Sequence, residues 1–205
     1  SSWSCVHGVE RWRSNCGCNS GKPGWNQLWR GPLRDALDWL RDSVEVIFER
    51  EAAKVIKDPW KARNEYINIV LKRSDENVKR FLKDHALADA SANRILRIME
   101  MQRHAMLMYT SCGWFFDEIS GIETIQVMQY ACRVIQLANQ IGLVDLEEEF
   151  MKRLEDAPSN VATYQNGANV YKNVVLPSRT NLQRVGMHYA VSSIFEEETE
   201  ALNIF

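Results

Sequence analysis

Residues 32–57 read PLRDALDWLRDSVEVIFEREAAKVIK. Within them Leu33, Leu37, Leu40, Val44, Ile47, Phe48 and Val55 recur mostly at three- and four-residue spacing, which lines one face of an α-helix. Pro32 suits the first helical turn, where its missing N–H would have no intrahelical partner. The spacing predicts a helix over 32–57, and the same period governs most of the chain that follows. Asp58-Pro59 is a cap-and-start pair that predicts a second helix carrying Trp60, Tyr66, Ile67 and Val70. Val78, Phe81 and Leu82 mark a shorter third helix. A fourth is expected to start near 89–91 and run to 119, where Ser120-Gly121 breaks it. A fifth turns Ile125, Met128, Cys132, Ile135 and Ala138 inward and stops at Gly142, and Leu146, Phe150 and Leu154 mark a sixth. After a polar loop at 158–167, a last helical region covers 168–195, kinked or split by Pro177. No stretch alternates as a strand would, and no internal repeat or low-complexity tract occurs. The expected fold is all-α: one domain, with a bundle of about six to seven helices over 32–205 and an irregular N-terminal lobe at 1–31.

At 205 residues and 23.7 kDa the chain can bury one sizeable core. With 25 basic and 27 acidic side chains its net charge is -2, which argues against a nucleic-acid partner bound by phosphate neutralisation. No apolar run approaches the roughly 20 residues that span a bilayer, so no membrane partner is expected. The chain starts at Ser1 inside a motif-like loop and ends on Leu202-Asn203-Ile204-Phe205, which reads as a piece excised from a longer protein. Five cysteines, an odd number beside a large core, point to reduced cytoplasmic thiols rather than a disulfide framework.

The lobe itself, SSWSCVHGVERWRSNCGCNSGKPGWNQLWRG at 1–31, holds four of the seven tryptophans, three of the five cysteines and half of the ten glycines. Such a concentration suggests a surface shaped for a sugar, an anion, a metal or a partner. Cys5, His7, Cys16 and Cys18 are thiolate and imidazole donors within fourteen positions, the soft ligands zinc prefers. Their C-x-H and C-x-C spacings depart from the common C-x2-C knuckle, and half-buried thiols in a tight turn are the alternative. No cofactor is otherwise expected. Arg11, Trp12, Arg13 and Trp25 combine flat indoles, which stack on sugar rings, with hydroxyl-binding guanidinium groups; alternatively the indoles pin the lobe to the bundle. On a helix Trp114, Asp117 and Glu118 would share one face. There the carboxylates could grip sugar hydroxyls or act as acid and base, or else lie solvated beside a core indole.

Three segments carry a family resemblance: SWSCVHGVERWRSNCGC at 2–18, MLMYTSCGWFFDEISGIET at 106–124 and NGANVYKNVVLPSRTNLQRVGMHYAVSSIFEE at 166–197. Together they resemble the uncharacterised helical region that follows the catalytic barrel in a subset of family 57 glycoside hydrolases, and the likeness spans essentially the whole chain. That resemblance implies an α-glucan-active, retaining enzyme whose two carboxylates sit in an α/β barrel upstream in the same polypeptide. The helical domain would then be non-catalytic alone and would wall part of a cleft for an oligo- or polysaccharide. Better-known members place a tryptophan near the sugar in a Ser-Asp-Trp-aromatic stretch. Here Ser111-Cys112-Gly113-Trp114-Phe115-Phe116 keeps the aromatic part and has Gly113 where the acid would be. Substrate contact is thus expected at Trp12, Arg11, Arg13, Trp25, Trp114, Asp117 and Glu118. The rival expectation is a structural helical module whose lobe is held by metal.

Overall fold

A computed structural model describes residues 6–18 and 21–195. Among the described residues the fold is all-α, and extended pairing is limited to the isolated bridges Ile56–Ala86 and Pro158–Asn166. The helices are α1 (Arg30–Ala52), α2 (Pro59–Glu65), α3 (Ile67–Leu71), α4 (Asp75–His85), α5 (Ala92–Leu107), α6 (Ile122–Gly142), α7 (Glu147–Leu154), α8 (Gly167–Val170) and α9 (Leu182–Ser192). The stripe that predicted α1 is buried, with Leu33, Leu37, Leu40, Val44, Ile47 and Phe48 facing α5, α6 and α7, but the helix ends at Ala52 rather than at 57, and Val55 is buried from the turn that follows. Each such side chain contributes about 1.5–3 kcal/mol by leaving water. The pairing of α5 with α6 is the most extensive in the bundle and forms its centre with α1. No helix among the described residues is long and apolar enough to cross a membrane.

Helix starts follow the capping chemistry of the sequence. Asp58 accepts from the Lys61 N–H at 3.0 Å with Pro59 at the first helical position. Ser74 and Asn181 cap α4 and α9 in the same way, through Asn77 and Arg184. The second expected helix is divided into α2 and α3, yet Tyr66 between them keeps helical dihedrals (φ -60°, ψ -18°). Pro177 does split the last region: a π-helical turn Tyr171–Val175 and a 3-10 turn Leu176–Ser178 separate α8 from α9.

The fourth helix departs from expectation. α5 ends at Leu107, and residues 108–121 form turns around a short 3-10 segment, Ser111–Trp114. Met108 and Trp114 are both core residues. Gly113 lies against α6. A Cβ there would overlap the Val127 side chain and meet the Glu123 carbonyl at 3.3 Å. Thr124 on α6 donates to the Gly113 carbonyl at 2.7 Å, replacing a lost helical bond. At the far end of α6 the left-handed position is taken by Leu143 (φ 54°), while Gly142 packs closely on α1, where a Cβ would stand 3.1 Å from the Ile47 side chain and 3.2 Å from that of Arg50.

One ion cluster ties α1 to α5. Buried Glu51 accepts from Arg50 at 2.8 Å, Lys54 at 2.9 Å and Arg94 at 2.6 Å. The Lys54 hydrogen bond foremost, then Arg50 and Arg94, hold its carboxyl down at about 2. A depressed carboxylate pKa contributes stability above the unfolded-state value near 4.5, lost as pH falls towards 2. Unfolding midpoints in urea should therefore fall between pH 4.5 and 2 in the wild type. They should fall less in Glu51→Gln; equal slopes for the two proteins would refute the assignment.

Candidate functional site

The N-terminal lobe and the 111–121 segment, far apart in sequence, meet. A 3-10 turn, Gly8–Trp12, brings Arg11 to the Phe115 carbonyl at 3.3 Å. Arg34 of α1 holds the Trp12 carbonyl at 3.1 Å. Arg30 is 0 % exposed, with its guanidinium on the carbonyls of Phe115 (3.5 Å) and Phe116 (3.2 Å) and 3.8 Å from Cys16 Sγ. Burial first, then Arg11 beside it, lowers the Arg30 pKa from its usual value. Gln27 donates to the Asp117 carboxylate at 2.5 Å, and Trp29 donates Nε1 to the Asp117 carbonyl at 2.9 Å.

A third segment completes this junction. Asn160, from the 158–167 loop, donates Nδ2 to the carbonyls of Asn26 (2.8 Å) and Asp117 (2.7 Å). It also accepts from the Asn26 N–H at 3.0 Å. Glu118 receives the Ser159 hydroxyl at 2.6 Å, the Asn160 N–H at 2.7 Å and the Ser120 N–H at 3.1 Å. The two acids expected to touch substrate thus face protein donors and are buried. Trp114 is 1 % exposed and stacks on Trp29 with centroids 6.0 Å apart and planes at 19°. In this arrangement its ring offers no free face to a sugar. Arg13 is exposed and ion-paired with Glu10; Trp25 is half-buried under the Lys22 ammonium, 3.4 Å from the ring centre. Trp12 is half-buried against the core, and exposed Phe116 stands next to the buried acids.

Three of the four expected metal ligands come together as well. Donor atoms of His7, Cys16 and Cys18 all lie within 4.8 Å of one another, with Cys18 Sγ and His7 Nδ1 3.3 Å apart. Cys5, the fourth, falls outside the described residues.

A second surface was not anticipated. A groove of about 600 Å³ runs along α6, walled by α5 and by the segment from Val175 to Val185. Its floor is a polar stripe, Gln126, Gln129, Arg133, Gln136 and Gln140, spaced by three and four residues along α6 over about 21 Å. Arg97, His104, Tyr130 and Arg179 add to the polar lining together with Ser178, Thr180 and Asn181, and no carboxylate occurs in it among the described residues. Gln129 and Gln136 tie the far wall to α6 through Ser178 (3.0 Å) and the Thr180 carbonyl (3.1 Å). Burial lowers the His104 pKa from its usual value. The stripe was legible at the helical period, but it is the complement of the apolar face by which α6 was recognised.

A family model described as Domain of unknown function (DUF3536) matches residues 25–205. The chain belongs to this family. The DUF3536 match includes Trp25, the 111–121 segment and the whole α6 groove, whereas His7, Cys16 and Cys18 precede it. No curated protein and no solved structure matches the chain.

Proposed function

We propose that this chain is an accessory helical domain of a glucan-active glycoside hydrolase of the family 57 kind, and that it binds an α-glucan without cleaving it. The observation that supports this reading best is the α6 groove, whose amides, guanidinium groups and tyrosine suit a hydroxyl-rich chain. A retaining glycosidase needs two carboxylates about 5–5.5 Å apart across the scissile bond. The groove supplies none among its described lining residues, and Asp117 and Glu118 are committed to the junction. The catalytic pair is therefore assigned to a barrel upstream in the same cytoplasmic polypeptide. The lobe and the 111–121 segment, with Arg13 and Phe116 exposed and Trp25 half-buried, form the wall assigned to the barrel's cleft. The Cys/His cluster favours a second reading, a metal-held structural module, which is compatible with the first.

Calorimetric titration of maltoheptaose and of soluble starch into the chain tests this reading. Arg133→Ala and Gln126→Ala, both at exposed positions of the groove, should each weaken binding about tenfold, the loss of one hydrogen bond to a charged or polar group. No reducing sugar should be released. Absence of binding, or full affinity in both variants, overturns the groove assignment; glucan hydrolysis by the chain alone overturns the accessory role.

A further inference from the structure

We propose that His7, Cys16 and Cys18 hold a zinc ion that knots the N-terminal lobe. Zinc binds sulfur at about 2.3 Å and imidazole nitrogen at about 2.0–2.1 Å, which in a tetrahedron places neighbouring ligand atoms roughly 3.5–3.8 Å apart. The three donors lie within 4.8 Å of one another, and the closest sulfur–nitrogen pair is at 3.3 Å, so a small inward or outward adjustment of side chains forms the shell. The backbone is shaped for the purpose. Gly17, between the two cysteines, takes φ +80°, a left-handed conformation that a side chain would resist. Asn15 Oδ1 accepts the Gly17 N–H at 3.1 Å and fixes that turn. Gly8, after His7, also takes a left-handed φ, +65°. The Arg30 guanidinium at 3.8 Å from Cys16 Sγ sets a buried positive charge beside the sulfur, which suits a metal-bound thiolate.

The donor chemistry selects zinc. Two thiolates and an imidazole are borderline-soft ligands, poor partners for calcium or magnesium. The ion would be structural. It closes the loop that delivers Arg11 to Phe115 and Trp12 to Arg34, so the wall at the 111–121 junction depends on it. This inference does not depend on glucan binding.

Metal analysis of the purified chain should find about one zinc per molecule. Cobalt exchanged into the site should give the intense visible absorption of a tetrahedral thiolate centre. Cys18→Ser and His7→Ala should each abolish that spectrum and most of the bound zinc, while exposed Cys112→Ser leaves both intact. A chelator should raise amide hydrogen exchange at 6–18 with the α5 and α6 core still protected, which separates loss of the knot from loss of the fold. Zinc-free wild type that takes up no cobalt, or full zinc content in both ligand variants, would overturn the assignment.

Discussion

Trp114→Ala is expected to cost about 3–5 kcal/mol of stability and to lower the thermal midpoint by roughly 6–20 °C for a domain of this size. The indole is enclosed where the 111–121 turns pack on α6, and it stacks on Trp29, the residue before α1. Trp29 in turn donates to the Asp117 carbonyl, so removal of one ring loosens a second and frees its hydrogen-bond partner. Gly113 is held in place by the Thr124 hydroxyl on its carbonyl at 2.7 Å, which opposes a shift of the turn into the space. The lost volume therefore persists as a cavity, and the cost rises with it. Trp114→Phe, which keeps a stacking plane, should lose much less. Trp25→Ala, on the half-buried indole outside the core, should stay within about 0.5 kcal/mol of wild type. Urea unfolding followed by far-ultraviolet circular dichroism measures all three. A Trp114→Ala protein as stable as wild type but deficient in maltoheptaose binding would instead make Trp114 a sugar contact.

The all-α fold was legible because its evidence is local. The α1 stripe, the Asp58-Pro59 start and the Pro177 break each act within a few residues, and each has the expected consequence. The region 108–119 was misread as helix because its turns are imposed from outside, by Gly113 on α6 and by the Thr124 hydroxyl. Propensity cannot register a constraint that arises 11 residues away. The candidate site was legible in part for the same reason. Composition singled out the lobe and the Trp114–Glu118 segment, and the two do meet. What composition could not supply was direction: Asp117 and Glu118 point to Gln27 and the 158–161 loop, residues that look unremarkable in sequence. The α6 groove went unseen because polar positions on an amphipathic helix read as solvated by default, and only the segment after Pro177 turns that face into a concave surface.

The roles of the two acids separate cleanly by substitution. Glu118→Ala should cost about 2–4 kcal/mol, because it strips the partner from two backbone N–H groups, Ser120 and Asn160, and from the Ser159 hydroxyl. Glu118→Gln keeps the shape but offers one acceptor oxygen instead of two, and should fall between. Asp117→Asn should cost less than Glu118→Ala, since an amide oxygen still accepts from Gln27 and the main-chain carbonyl held by Trp29 and Asn160 is untouched, and its cost comes from removing a negative charge near the buried Arg30 guanidinium. Amide exchange should locate the Glu118 effect at 158–161, with α5 and α6 unaffected. An acid–base pair behaves in the opposite way, because catalytic carboxylates can be made amides with little loss of stability and a large loss of rate. If Glu118→Ala leaves stability and the 158–161 amides unchanged while Asp117→Asn abolishes a glucan-cleaving activity, the pair is chemical rather than structural, and the accessory role falls with it.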